Sequence, residues 1–116
     1  MSLANKVVLI TGAGSGIGAD AARAFHDAGC SVVLNGRRES ALEQTASQID
    51  PTGRTVAIVA GDIGEVATSK RMVETALAQF DGVDMLFNNA GIFEPKPFLE
   101  TTPEDLEGYL NLMPLQ

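Results

Sequence analysis

Alternating glycines at positions 12, 14, 16 and 18, in Thr11-Gly12-Ala13-Gly14-Ser15-Gly16-Ile17-Gly18, constrain this chain more than any other stretch. A backbone without Cβ atoms turns sharply and lets a bulky anion come close. The run before it, Lys6-Val7-Val8-Leu9-Ile10, has the apolar continuity of a strand buried on both faces. The run after it predicts a helix whose inner face carries Ile17, Ala21, Ala24, Phe25 and Ala28. Any strand-to-helix turn can use one or two glycines. Four between a strand and a helix start point instead to a pyrophosphate cradle, because the helix N-terminus adds free N–H groups and a positive dipole end.

The remaining chain repeats the strand-then-helix alternation, which predicts βαβ units and a parallel sheet. Gly29 ends the first helix and Ser31-Val32-Val33-Leu34-Asn35 reads as the second strand. Ser40 and Glu43 have the spacing of a capping box, ahead of a helix face of Leu42, Thr45, Ala46 and Ile49. Asp50-Pro51-Thr52-Gly53 is a turn, Thr55 to Ala60 the third strand, and Val83 to Asn88 the fourth. Between these last two, Val66, Val73, Ala76, Leu77 and Phe80 are expected on the inner face of a helix. Thr102-Pro103 marks a further helix start. No linker or repeat interrupts the pattern, so residues 1–116 are expected to form a single domain.

Two more blocks stand at strand ends: Gly61-Asp62-Ile63 after the third, and Asn88-Asn89-Ala90-Gly91 after the fourth. Together with the Thr-Gly-x-x-x-Gly-x-Gly loop, the chain resembles the cofactor-binding half of the short-chain dehydrogenase/reductase family. That resemblance implies an α/β fold, a Rossmann-type doubly wound parallel sheet of about four strands in the order 3-2-1-4. It implies that Gly12, Ser15, Gly16, Ile17 and Gly18 surround the ribose and pyrophosphate of a dinucleotide. Asp62 and Ile63 would flank the adenine, and Asn89, Ala90 and Gly91 would pass beneath the inner ribose, with Asn88 bracing the sheet.

The end of the second strand bears on which dinucleotide binds. An acidic residue there would accept hydrogen bonds from the ribose 2′-OH of NAD. This chain has Gly36 followed by Arg37 and Arg38. Guanidinium groups pair with a 2′-phosphate through charge-assisted bonds, so NADP(H) is expected over NAD(H).

Composition excludes other classes. The net charge is −7, and its whole excess falls after Ala60, which argues against nucleic-acid binding. No run reaches the roughly 18 apolar residues of a membrane helix. Cys30 is the one cysteine, which rules out an internal disulfide and fits a cytoplasmic setting. His26 has no partners for a metal site and is expected at a surface or boundary.

The family performs hydride transfer between a nicotinamide and a carbonyl or alcohol substrate, using a Ser and a Tyr-x-x-x-Lys. Here the one tyrosine, Tyr109, is followed at the required spacing by Met113, so no catalytic residue is assigned. Asn111-Leu112 echoes a family motif at an imperfect distance. The chain is therefore expected to be the NADP(H)-binding portion of an oxidoreductase, inactive alone. The alternatives are a non-catalytic dinucleotide-binding module or a folding fragment. Without a fifth strand, Met85, Leu86 and Phe87 are expected on an exposed edge with little helix cover, favouring a homo-oligomer.

Overall fold

Eleven buried apolar residues come from four short strand runs, which a central sheet brings together in a computed structural model describing residues 3–89. The element order is β1 (Val7–Thr11), α1 (Gly16–Asp27), β2 (Ser31–Gly36), α2 (Glu39–Ile49), β3 (Val56–Ala60), α3 (Val66–Phe80) and β4 (Met85–Asn88). All strand pairings are parallel, in the order β3-β2-β1-β4. Val8 lies opposite Val32 on one side and Met85 on the other, so β1 is central and all five of its residues are buried.

Strand alternation then divides the core in two. Val7, Leu9, Val33, Ala57, Val59 and Leu86 point to the face covered by Met72, Val73 and Ala76 of α3. Val8, Ile10, Val32, Leu34 and Val56 point to the face covered by Ala22 of α1 and Leu42 of α2. This three-layer arrangement follows from right-handed crossovers. The chain steps outward from β1 to β3 through α1 and α2, then returns past β1 to β4 through α3, on the opposite face.

The helix faces differ from the sequence expectation. On α1 the buried residues are Gly18, Ala19 and Ala22; Ile17 is exposed, as are Ala24 and Ala28. Close approach of the helix to the sheet selects the smallest side chains, not the largest. On α3, Val73 and Ala76 are buried as expected, but Val66 and Leu77 face outward and Thr68, Ser69 and Met72 take their place. The Ser69 hydroxyl donates to the Val66 carbonyl at 2.9 Å, so it can be buried without losing its hydrogen bond.

Two further expectations are corrected. The Ser40–Glu43 capping box does not form: α2 begins at Glu39, Arg38 occupies the cap without a side-chain hydrogen bond, and the Leu42 N–H donates to the Arg38 carbonyl at 3.2 Å. Leu42 lies close against Gly36 of β2, where an added Cβ would stand 3.1 Å from its side chain. Leu86 is not on an exposed edge; it is fully buried in the α3-side core, and Phe87 meets Phe25 of α1 edge-to-face at 5.9 Å. Side chains from both faces thus meet β4 although no helix lies over it, and its outer backbone edge pairs with no strand among the described residues. The readings made at Ala90, Gly91, Thr102-Pro103, Tyr109 and Asn111 lie outside the described residues.

Candidate functional site

The helices that follow β1 and β3 cover opposite faces of the sheet, and a crevice opens at the strand C-termini. Side chains tie its rim together. Thr11 Oγ1 donates to Asn88 Oδ1 at 2.6 Å, so Asn88 braces β1 against β4. Asn89 Nδ2 donates to the Gly12 carbonyl at 3.3 Å across the same seam.

The loop after β1 depends on its glycines in two ways. Gly12 and Gly16 take φ of 62° and 61°, where a Cβ is strained. Gly18 has an ordinary φ, but a Cβ there would stand 1.9 Å from the Gly12 carbonyl oxygen. The helix therefore packs directly on the turn. Ser15 stands at the N-cap in an extended conformation, and its hydroxyl caps none of the first-turn N–H groups.

Beside this loop lies a cleft of about 290 Å³ lined by Gly12, Gly14 and Ser15, by Asn35 to Arg38, by Ala41, and by Gly61 to Ile63. It brings together Gly12, Ser15, Arg37, Arg38, Asp62 and Ile63 from three separate strand ends. Ile63 is buried, and Asp62 is fixed by accepting the Gly64 N–H on Oδ1 at 2.9 Å. Asp62 Oδ2 faces Arg37 Nη2 at 3.5 Å, an exposed and long ion pair. Gly16 and Gly18 shape the helix start without lining the cleft, and Ile17 stands 70% exposed on the first turn. Asn89 is exposed at the β1–β4 seam.

Asn35 was missed in reading the sequence. Its buried side chain donates to the carbonyls of Val59, at 3.0 Å, and Gly61, at 3.1 Å, while its own carbonyl accepts the Ala13 N–H at 2.8 Å. One residue thus joins all three loops of the cleft. The available signal was a polar residue closing an otherwise apolar strand, Val32-Val33-Leu34-Asn35.

A parallel sheet in this order, with a glycine-built turn after its central strand and a cleft at the strand C-termini, is the architecture of a dinucleotide-binding fold. The chain belongs to the short-chain dehydrogenase family, whose model matches residues 6–113. It is 34% identical over 112 residues to the uncharacterized oxidoreductase YvrD of Bacillus subtilis, covering 97% of this chain and 42% of that one. Among solved structures, L-sorbose reductase from Gluconobacter frateurii, complexed with NADPH and L-sorbose, is similar with a TM-score of 0.73 and 33% identity, covering 97% of this chain and 43% of that one. A short chain dehydrogenase from Bacillus anthracis is similar with a TM-score of 0.72 and 32% identity, covering 78% of this chain and 37% of that one. The chain spans about two-fifths of the length of the curated relatives it matches. No helix among the described residues is long and apolar enough to cross a membrane.

Proposed function

We propose that the chain is the NADP(H)-binding portion of a short-chain oxidoreductase acting on a small carbonyl or alcohol substrate in the cytoplasm, as part of a homo-oligomer. The observation that carries the cofactor choice is the cleft wall at the end of β2, where Gly36 leads into Arg37 and Arg38 and no carboxylate occupies the strand terminus. A dinucleotide fits the surroundings. Gly12, Gly14 and Gly36 keep the floor clear of side chains, since even a Cβ on Gly36 would sit 3.1 Å from Leu42. Ser15 and the start of α1 would take the pyrophosphate, Asp62 and Ile63 the adenine, Arg37 and Arg38 the 2′-phosphate. Asn89, with Ala90 and Gly91, would support the inner ribose.

When bound, the nicotinamide supplies or accepts the hydride. The residues in hand orient that group: Asn35 holds the three loops in register, and the Asn89–Gly12 bond closes the β1–β4 seam toward which the nicotinamide half would extend. The similar sorbose reductase carrying NADPH supports the choice of the phosphorylated cofactor.

Calorimetric titration of Arg37→Ala tests this. NADP+ affinity should fall about tenfold to a hundredfold, the loss of one charge-assisted bond, while NAD+ affinity hardly changes. Equal losses for both cofactors would refute the assignment.

A further inference from the structure

We propose that Asp62 acts through Arg37 as a positioning residue that limits how strongly the cleft prefers a 2′-phosphate over a 2′-hydroxyl, an inference that rests on the dinucleotide reading above. The two side chains meet across the mouth of the cleft, Arg37 Nη2 to Asp62 Oδ2 at 3.5 Å. They are unequal partners. The carboxylate is held in place by the Gly64 N–H on its other oxygen. The guanidinium is 76% exposed on a long, rotatable stem. Arg37 is therefore the member that moves, and a phosphate entering the cleft must draw it away from a fixed carboxylate.

The chemistry gives the direction. A phosphate monoester carries about −1.5 to −2 charges near neutrality, so it competes with Asp62 for the same guanidinium and is repelled by that carboxylate. A 2′-hydroxyl feels neither effect to a comparable degree. Any bond that Asp62 makes to the adenine is common to both cofactors and cancels in the ratio of their affinities. Neutralising Asp62 should therefore raise the NADP+ to NAD+ affinity ratio, although it removes a residue of the binding cleft. The pair is exposed, which limits the rise to about two- to fivefold, and salt should shrink it further.

The test is calorimetric titration of the full 116-residue chain with NADP+ and with NAD+, in low and high salt. D62N retains an oxygen to accept the Gly64 N–H; D62S is a second neutral variant with the same capacity, so the result does not hang on one substitution. The expected result is a two- to fivefold rise in the ratio for both, smaller in high salt and smaller again when Arg37 is already alanine. An unmoved or lowered ratio in the variants overturns the inference and leaves the cofactor reading intact. The same rise without Arg37 also overturns it, because Asp62 would then act on the phosphate directly. Binding of neither dinucleotide, or a wild-type preference for NAD+, overturns the reading of the site itself and the inference with it.

Discussion

The two ends of the parallel sheet solve opposite problems. At the C-terminal ends of the strands, glycines hold the backbone open, and the charged groups Arg37 and Asp62 stand 3.5 Å apart in solvent. At the N-terminal ends, Asp50, Asp84 and His26 are each held by hydrogen bonds. Asp50 accepts the Thr52 N–H and hydroxyl at 2.9 and 2.6 Å and the Thr55 N–H and hydroxyl at 3.0 and 2.7 Å. Asp84 accepts the Val7 N–H at 2.8 Å, and His26 Nε2 lies 2.6 Å from Thr55 Oγ1. One end of the sheet is stapled by side chains, and the other is left receptive to a ligand and held by backbone shape and by Asn35. Substitutions should separate accordingly: stability alone at the stapled end, ligand binding at the other.

The largest effect is expected where the open end is tightest. Gly18→Ala drives a methyl group to 1.9 Å from the Gly12 carbonyl, which only a shift of the turn or of α1 can relieve. Overpacking of this kind costs about 1–3 kcal/mol, and contact with backbone places it at the upper end. Urea denaturation should show that loss, and dinucleotide affinity should fall with it because the displaced turn is the cleft wall. A variant with unchanged stability and binding would break the claim that backbone shape builds this end.

Next comes the acid response of the stapled end. The hydrogen bonds from Thr52, then those from Thr55, hold the Asp50 carboxyl well below its ordinary value of 3.8. A group whose folded value is depressed contributes stability that is present above the unfolded value and lost as pH falls toward the folded one. Asp50 should therefore stabilise the fold fully above about pH 4 and progressively less below it. Asp50→Asn should lower the urea midpoint at neutral pH and flatten the fall in stability below about pH 4. Parallel acid curves for the two proteins would show that the carboxylate adds nothing beyond the amide.

How much of this was legible in advance follows the same division. Strand order and the glycine turn were readable, because local sequence dictates turns and apolar runs, and handedness dictates how they join. The inner faces of α1 and α3 were misread, because large apolar residues suggest burial while this interface selects for fit. Gly18 and Ala22 admit the close approach, and Ser69 bonds to its own helix. Asn35 and the Asp50 cluster depend on partners 24 residues away in one case and on a turn's detailed shape in the other. Periodicity carries neither kind of information.

The smallest effect sharpens the comparison most. The Thr55 hydroxyl donates to Asp50 Oδ2, so its oxygen is left to accept from His26 Nε2, and one atom links α1, the turn after α2 and the start of β3. Thr55→Val keeps the β-branched shape suited to a strand start, and the Thr55 N–H bond to Asp50 is retained. What is lost is one hydroxyl and its two hydrogen bonds, the one given to the Asp50 carboxylate and the one accepted from the part-buried His26. A net cost of about 1 kcal/mol is expected. Because the site lies at the far end of the sheet from Arg37 and Asp62, the ratio of NADP+ to NAD+ affinities should stay where it was. Urea denaturation and calorimetry on the same preparation read both quantities. A shift in cofactor preference would mean that the two ends are coupled through the sheet, and the division of labour between them would fail.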